Sequence, residues 1–236
     1  RRCDRRMESE AAMSAANKLV AWYREHGSSR KLPWRKKGEP IARVAMVEGL
    51  LAQTRANAVA RAYDAIFGDI YTAGDWLRTL EVERIERVTP LGLPGLKSAA
   101  LDSIAGMMVG FDDQIPAKLM SNLTAWQGIG PYTARSLAVL FVHGAVPVDC
   151  NVARVGGRAD ASGDPARWMA EIVADAADIA PIHEVISPKY EATCAVLDIG
   201  QIYCKPLEKW CGLCPLKNHC ETQGKPGCQL ILPVSL

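Results

Sequence analysis

The chain contains no apolar run long enough to cross a membrane. A spanning helix needs roughly 18 consecutive apolar residues, and the longest candidate, residues 136–148, is interrupted by His143 and Gly144. The arginine-rich N-terminal stretch also lacks the apolar core of a secretion signal. We therefore expect a cytoplasmic chain that does not associate with membranes.

The sequence also lacks a large excess of charge of either sign. Its 236 residues carry a formal net charge of only +2, so composition does not predict nucleic-acid binding and any basic surface must be local. Internal repeats, low-complexity linkers and strand-like alternation are missing as well. Apolar residues make up 49% of the chain and recur at helical spacing. These features predict an all-α protein with a sizeable core.

The eight cysteines are not distributed as in a secreted disulfide scaffold, because five of them lie between residues 204 and 228. The pattern Cys204-x6-Cys211-x2-Cys214-x5-Cys220 supplies four thiolates within seventeen residues. Such a loop can wrap a soft metal centre, either zinc or an iron–sulfur cluster. Cys228 falls outside this spacing and is not expected to be a ligand.

The centre of the chain carries two glycines that flank one apolar residue, Gly128-Ile129-Gly130. Apolar residues recur at helical spacing before this segment, at 119, 123 and 126, and after it, at 134, 137, 138 and 141. Glycine adopts positive φ without strain, so the chain can turn tightly between two helices. The free backbone N–H groups at the start of the second helix can then hold a phosphate. The segment therefore predicts a tight turn between two helices, and it resembles a DNA-binding hairpin.

Several motifs together resemble the helix-hairpin-helix DNA glycosylase superfamily, which includes endonuclease III, adenine DNA glycosylases and mismatch-specific thymine/uracil DNA glycosylases. They are Pro33-Trp34-Arg35, the segment 47–54, the hairpin at 128–134, and Val148-Asp149-Cys150-Asn151-Val152, in which Asp149 lies seventeen residues after Tyr132. The resemblance covers about residues 32 to 220. It implies two lobes: a helical barrel domain over 37–146 that carries the hairpin, and an iron–sulfur domain formed by 1–36 and 147–236.

The resemblance implies three catalytic residues. Asp149 would stabilise the oxocarbenium-like transition state of base excision, although an aspartate at a helix start is also a common N-cap. Glu48 would protonate the leaving base or position water; without the resemblance, it reads as a helix-edge glutamate. Tyr132 occupies the hairpin position where endonuclease III-like enzymes carry a Schiff-base lysine. A phenol cannot form a Schiff base, so little AP-lyase activity is expected.

The resemblance also implies DNA contacts in the barrel domain. Gln53 is a candidate to enter the gap left by the extruded base. Further contacts are expected beside Gln53, in the loop that ends at residue 97, and in the hairpin: Thr54, Leu93, Lys97, Gly128, Gly130 and Thr133. The expected partner is double-stranded DNA with a mismatched or damaged base, bound by a monomer.

The cysteine spacing is the one found in the endonuclease III group. The resemblance therefore implies a [4Fe–4S] cluster, rather than zinc, held by Cys204, Cys211, Cys214 and Cys220. Its implied role is structural, because it ties a C-terminal loop.

The prediction of which base is excised rests on two differences between this chain and adenine glycosylases. Those enzymes usually carry a Gly-Leu-Gly-Tyr-Tyr-like loop where this chain has residues 91–97 without a tyrosine pair, and they add a C-terminal domain where only eight residues follow Cys228. Both departures favour thymine or uracil opposite guanine. The alternatives are an adenine glycosylase and a non-catalytic, cluster-containing DNA-binding module. Binding alone needs neither Glu48 nor Asp149, which counts against the module.

Overall fold

A computed structural model describes residues 14–141, 146–160, 162–181, 186–223 and 228–229. The described chain is mainly helical, which confirms the predicted all-α class. Its α-helices, in chain order, are α1 (Ala15–His26), α2 (Ile41–Leu51), α3 (Ala56–Phe67), α4 (Ala73–Arg78), α5 (Glu81–Val88), α6 (Pro94–Met108), α7 (Ala117–Met120), α8 (Pro131–Leu140), α9 (Cys150–Ala159), α10 (Pro165–Asp175) and α11 (Pro188–Ile202). None of them is both long and apolar enough to cross a membrane.

Short turns and one small strand pair complete the described structure. The 3-10 turns are Gly27–Arg30, Pro33–Arg35, Thr89–Leu91, Leu123–Ala125, Ala176–Asp178, Cys211–Leu213 and Lys217–His219. Strands β1 (Lys209–Trp210) and β2 (Cys228–Gln229) pair in parallel, with Lys209 opposite Cys228.

The chain forms two compact units. The first, which we call the hairpin unit, contains Ser28–Ala145 and His183–Ser187. The second, the cysteine unit, contains Arg1–Gly27, Val146–Ile182 and Pro188–Leu236. The sequence places its domain boundaries after residues 36 and 146.

Helix α2 forms the centre of the hairpin unit. Nine of its eleven residues are buried, as expected for a helix that is apolar on nearly all sides. It packs against α6, and a Cβ on Gly49 would lie only 2.9 Å from Cδ1 of Ile104. Glycine at this position therefore allows the close approach of α2 and α6.

Helices α1 and α11 pack together in the cysteine unit, although they lie far apart in sequence. The Ser14 hydroxyl caps α1 by accepting a hydrogen bond from the Asn17 N–H at 3.2 Å. Near the other end, Arg24 donates to the Glu191 carboxylate at 2.9 Å and to the Ala180 carbonyl at 2.9 Å. The N-terminal helix is thus bonded to two separate later segments.

The segment before the hairpin differs from the single helix that its apolar spacing predicts. Helix α7 ends at Met120, and a 3-10 turn begins only at Leu123, because Asn122 (φ −136°, ψ 32°) leaves the helical region between them. Of the apolar residues at 119, 123 and 126, only Leu123 is buried. The apolar spacing therefore does not mark one buried helix face.

Candidate functional site

The hairpin turn depends on glycine at one position and leaves space at the other. Gly128 has φ +78°, and a Cβ there would lie 2.8 Å from N, Cα and Cβ of Ala100 on α6. Gly130, the N-cap of α8, has φ −83° and would meet nothing within 4 Å. Gly128 therefore makes the turn and its packing possible, whereas Gly130 keeps the surroundings of the α8 N-terminus open.

One face of α6 holds the hairpin in place. The Ser103 hydroxyl donates a 2.8 Å hydrogen bond to the Gln127 carbonyl, just before the turn. Ala100 lies three residues from both Lys97 and Ser103, so it neighbours each of them on the surface of α6. The hairpin is therefore fixed against the part of α6 that surrounds Ala100.

Helix α8 begins with Pro131 in its first turn, where a missing N–H costs no helical hydrogen bond. The next two residues differ in exposure: Tyr132 is half-buried, and Thr133 is only 1% exposed. The N–H groups of the first helical turn have no partner within the helix. At Thr133, the backbone N–H rather than the hydroxyl is therefore the group suited to a DNA contact.

Two exposed residues with strained backbones line the same cavity. Gln53 has φ +57° just after α2, and Leu93 has φ +51° just before α6. A left-handed conformation costs a non-glycine residue on the order of 1 kcal/mol, and such outliers cluster at functional sites. Gln53 is exposed, and Leu93 is 55% exposed. The backbone thus presents both side chains to solvent at one place in the hairpin unit.

The cavity has a volume of about 370 Å³ and lies entirely within the hairpin unit. Its walls come from the end of α2, the start of α6, and the hairpin glycines Gly128 and Gly130. Lys97 is the only ionisable side chain among the described residues that line it. This lysine is 4% exposed, and burial lowers the pKa of its amine. Its backbone N–H donates to the Leu93 carbonyl at 3.0 Å.

Glu48 lies on α2, in the same unit, and is 6% exposed. Its carboxyl group is not isolated, because it takes part in a polar interaction. The structure therefore rules out the alternative of a helix-edge glutamate that reaches solvent. Thr54, three residues beyond the end of α2, is half-buried, and its hydroxyl donates to the Ala52 carbonyl at 3.3 Å.

Asp149 is the N-cap of α9 in the cysteine unit, and both of its carboxylate oxygens accept hydrogen bonds. Oδ1 accepts from the N–H groups of Asn151 and Val152, each at 2.8 Å. Oδ2 accepts from the Asn151 side-chain amide, also at 2.8 Å. These bonds fix the plane of the carboxylate. The N-cap role that the sequence suggests is therefore present.

A chain of hydrogen bonds continues from Asp149 to the cysteine loop. Asn151 Oδ1 accepts from Arg154 Nη2 at 2.6 Å. The same guanidinium donates to the Gly200 carbonyl at 2.8 Å and, through Nε, to the Cys204 carbonyl at 2.6 Å. The cap at one end of α9 is thus tied to the first cysteine of the loop through Asn151 and Arg154.

The Arg158 side chain, at the end of α9, binds the same loop through one cysteine sulfur and two backbone carbonyl groups. It donates to Cys204 Sγ at 3.2 Å, to the Lys205 carbonyl at 2.8 Å and to the Pro206 carbonyl at 3.1 Å. The Cys220 thiol in turn donates to the Arg158 carbonyl at 3.4 Å. Helix α9 therefore positions both the first and the last cysteine of the motif.

The four motif cysteines line one apolar pocket of about 30 Å³. Burial, with a further contribution from the nearby Cys204 and Cys220, raises the pKa of the Cys214 thiol to about 12. Four cysteine thiolates form a donor set suited to a soft cation. The residues thus fit an iron–sulfur cluster in kind and number.

Cys211 differs from the other three motif cysteines in its oxidation state. Cys204, Cys214 and Cys220 are free thiols, but Cys211 is disulfide-bonded. No group of three or more metal-ligating side chains is assembled around one point in the described chain. Binding of a four-iron cluster therefore requires the reduced thiol of Cys211.

Sequence reasoning did not assign roles to Ser103, Asn151 and Arg154. Asn151 and Arg154 are three residues apart, which places them on one helix face directly after the capping aspartate. Ser103 is identified only by its tertiary hydrogen bond to the Gln127 carbonyl. Helical spacing next to Asp149 is the signal that could have identified Asn151 and Arg154.

The chain is similar in sequence to several DNA glycosylases, whereas no family model matches it. It is 29% identical to an adenine DNA glycosylase of Mycolicibacterium smegmatis, over 86% of this chain and 67% of the relative. It is 30% identical to that of Mycobacterium tuberculosis, over 84% and 64%. It is 28% identical to a thymine/uracil-DNA glycosylase of Pyrobaculum aerophilum, over 85% and 87%. The chain thus spans about two thirds of the length of the adenine DNA glycosylases.

The fold is shared with a solved structure of a thermostable thymine-DNA glycosylase. The TM-score is 0.62, with 21% identity, over 87% of this chain and 93% of that one. At this identity the likeness establishes the fold alone.

Proposed function

Because the chain is similar in sequence to adenine and thymine/uracil DNA glycosylases, we propose that it belongs to the helix-hairpin-helix DNA glycosylase superfamily and is a monofunctional DNA glycosylase of base excision repair. It hydrolyses the N-glycosidic bond of a mismatched base that has been turned out of double-stranded DNA. The observation that carries this proposal is the Asp149 carboxylate, held by both oxygens at the start of α9.

The proposed chemistry places negative charge beside developing positive charge. Cleavage of the bond between C1′ and the base nitrogen gives the sugar oxocarbenium character, which the fixed Asp149 carboxylate stabilises. Because the hydrogen bonds to Asp149 exist before the reaction, the carboxylate need not reorient in the transition state. Glu48 supplies a proton to the leaving base or holds the attacking water. Tyr132 stands where related lyases use lysine, so water rather than an amine at this position completes the reaction.

The proposed DNA contacts lie on the hairpin unit. The N–H groups at the start of α8 hold a backbone phosphate, and the exposed Gln53 and Leu93 enter the gap left by the displaced base. The strained backbone at both residues supports this assignment, because ligand contacts are a usual reason for keeping such strain. The partner is double-stranded DNA, bound by a monomer.

We favour thymine or uracil opposite guanine as the substrate. The loop before α6 lacks the tyrosine pair usual in adenine glycosylases and instead presents Leu93 and Leu96, which are 55% and 53% exposed. The similarity to a thymine/uracil-DNA glycosylase over 87% of its length also supports this choice. Adenine is the second candidate, because the two mycobacterial relatives are named adenine DNA glycosylase.

A panel of duplexes tests the proposal. Base release is measured under single-turnover conditions with G·T, G·U, A·G and A·8-oxoguanine pairs, and abasic sites are revealed with alkali. Release from G·T or G·U supports the favoured substrate, and release from the adenine pairs supports the second candidate. If no duplex loses a base while all of them bind, the non-catalytic DNA-binding module is the better description.

A [4Fe–4S] cluster is part of the proposal. Cys204, Cys211, Cys214 and Cys220 would hold it once Cys211 is reduced, and the cluster would supply structural cross-linking rather than bond cleavage. Arg154 and Arg158 already hold the carbonyl groups around the first cysteine. They would thereby keep the loop next to α9.

A further inference from the structure

Cys211 is the one motif cysteine that is already engaged in another covalent bond. It is disulfide-bonded, whereas the other three motif cysteines are free thiols that line the same small pocket. A [4Fe–4S] cluster needs one thiolate from each of the four. The oxidation state of Cys211 therefore decides whether the loop offers three metal ligands or four.

The disulfide joins Cys211 to a cysteine outside the motif. The other motif cysteines are free thiols, and so are Cys150 and Cys194. Of the eight cysteines in the chain, only Cys3 and Cys228 remain as partners. The bond therefore connects the metal-binding set to a cysteine that the ligand spacing leaves without a role.

The backbone of the two short strands brings residue 228 next to Cys211. Strand β1 ends directly before Cys211, and strand β2 begins at Cys228. Their parallel pairing sets Cys228 opposite Lys209, two residues before Cys211, and β2 also packs against the 3-10 turn that Cys211 starts. Paired strands lie about 4.8 Å apart, within the range of about 4.4–6.8 Å that disulfides span between Cα atoms. The backbone course therefore favours Cys228 over Cys3 as the partner.

The positions of the other ligands do not depend on the Cys211 disulfide. Arg158 donates to Cys204 Sγ at 3.2 Å, and the Cys220 thiol donates to the Arg158 carbonyl at 3.4 Å. Helix α9 thus holds the first and the last cysteine of the motif while Cys211 is oxidised. Cleavage of one disulfide is then enough to complete the set of four thiols.

We propose that Cys211 and Cys228 form a thiol–disulfide switch that controls whether the loop can hold a metal centre. In the reduced state, Cys211 is the fourth ligand and Cys228 binds no metal. In the oxidised state, the fourth ligand is missing and the loop cannot hold a four-iron cluster. This inference rests on the cluster in the proposed function, but it does not depend on which base the protein excises or on excision itself.

The switch opens by thiol–disulfide exchange with a dithiol. One thiolate of the dithiol attacks a sulfur of the Cys211 disulfide, and the other protein sulfur leaves as a thiolate. The second thiol of the reductant then displaces the protein from this mixed disulfide. The protein gains two electrons and two protons, and the dithiol loses them as it becomes a disulfide. Oxidised glutathione, which is reduced to two thiols, reverses the change. Cys211 is half-buried rather than fully buried, so an attacking thiolate has access to it.

Mass spectrometry tests which cysteines are joined. The full chain is freed of metal with a chelator in air and without reductant, its free thiols are alkylated, and the protein is digested. We expect one linked peptide pair that carries Cys211 and Cys228, with alkyl groups on the other three motif cysteines. A link between Cys211 and Cys3, or an alkylated Cys211, would overturn the proposal.

Cobalt(II) titration tests the switch without any measurement of activity. Cobalt held by four thiolates absorbs visible light in a tetrahedral site, so its spectrum reports the fourth ligand. Metal-free protein prepared in the same way is titrated under argon. The unmodified protein is expected to lack the four-thiolate spectrum until it has been treated with a dithiol. Cys228→Ser cannot form the disulfide, so it is expected to give this spectrum without the dithiol.

Two further variants serve as controls for the titration. Cys150→Ser, which removes an exposed cysteine outside the motif, is expected to need the dithiol as the unmodified protein does. Cys211→Ser is expected to lack the four-thiolate spectrum under both conditions. The proposal is wrong if the unmodified protein binds cobalt through four thiolates without the dithiol. It is equally wrong if Cys228→Ser still needs the dithiol or loses the spectrum altogether. Failure of base release in the duplex panel would instead overturn the proposed function and leave the cobalt result unaffected.

Discussion

Asp149 has two roles that a single substitution can separate. Asparagine keeps an oxygen that can cap α9, but it removes the negative charge. We therefore predict that Asp149→Asn lowers single-turnover base release by about a hundredfold or more, while DNA affinity stays nearly unchanged. Asp164 offers a matched control, because it caps α10 with hydrogen bonds of 3.0 and 3.1 Å to Ala166 and Arg167. Asp164→Asn is expected to release base normally. Equal rates for both variants would contradict the role of Asp149.

Asn151 acts on catalysis through Asp149, because its amide fixes Oδ2 and its carbonyl oxygen binds Arg154. We predict that Asn151→Ala slows base release by about tenfold while substrate affinity stays the same, since one carboxylate oxygen becomes free to rotate. The loss of a buried acceptor should also lower the free energy of unfolding by about 1–3 kcal/mol. Kinetics and denaturant unfolding measure the two effects. Asn218→Ala, at an exposed site, should change neither, and a rate loss no larger than in that control would show that Asn151 does not position the carboxylate.

The burial of Lys97 predicts a pH dependence of the free energy of unfolding. Burial lowers the pKa of its amine in the folded protein below the ordinary value of 10.5, so between these two pKa values the unfolded chain binds more protons and stability rises with pH. Lys97→Met removes this penalty. The variant should be more stable than the unmodified protein at neutral pH, and the gain should shrink as the pH approaches 10.5. Unfolding curves at both pH values test this, with the exposed Lys118→Met as the control that should show no such trend.

The hairpin between α7 and α8 contains two glycines with different physical requirements. Gly128→Ala would force a side chain into positive φ and against the Ala100 backbone, whereas Gly130→Ala meets free space. We predict that Gly128→Ala lowers the free energy of unfolding by about 2 kcal/mol or more, and that Gly130→Ala costs about 1 kcal/mol or less. Thermal unfolding of the two variants provides the measurement. Equal destabilisation would mean that the hairpin does not depend on its contact with α6.

If the cysteine loop binds an iron–sulfur cluster, the protein should absorb visible light. Protein reconstituted with iron and sulfide under reducing conditions should be yellow-brown, and Cys214→Ser should lose most of this colour because a four-iron cluster needs all four thiolates. Cys150→Ser, an exposed cysteine outside the motif, should keep it. A protein that stays colourless but binds zinc would contradict the cluster.

Sequence patterns predicted the all-α class, because buried apolar positions and capping residues lie close together along the chain. Asp149 shows this for the site, since its place at the start of a helix follows from local sequence. The partners that fix the site are not local: Arg154 bonds to Cys204, which lies 50 residues later, and Lys97 is buried by residues from α2 and the hairpin. Such contacts depend on tertiary packing, which helical periodicity does not encode. For the same reason, Trp126 continues an apolar pattern and yet lies on the surface.

The pairing of α1 with α11 sets an order for synthesis on the ribosome. Arg24 cannot pair with Glu191 until that residue has been synthesised, 167 residues later. Until then Leu19 and Val20, which are fully buried in the folded protein, lack their packing partners on α11. The hairpin unit, whose residues are nearly contiguous, can form while α1 is still waiting. A nascent chain that stalls before α11 would therefore expose the apolar face of α1 to chaperones and proteases. Synthesis of α11 would bury this face and end that recognition.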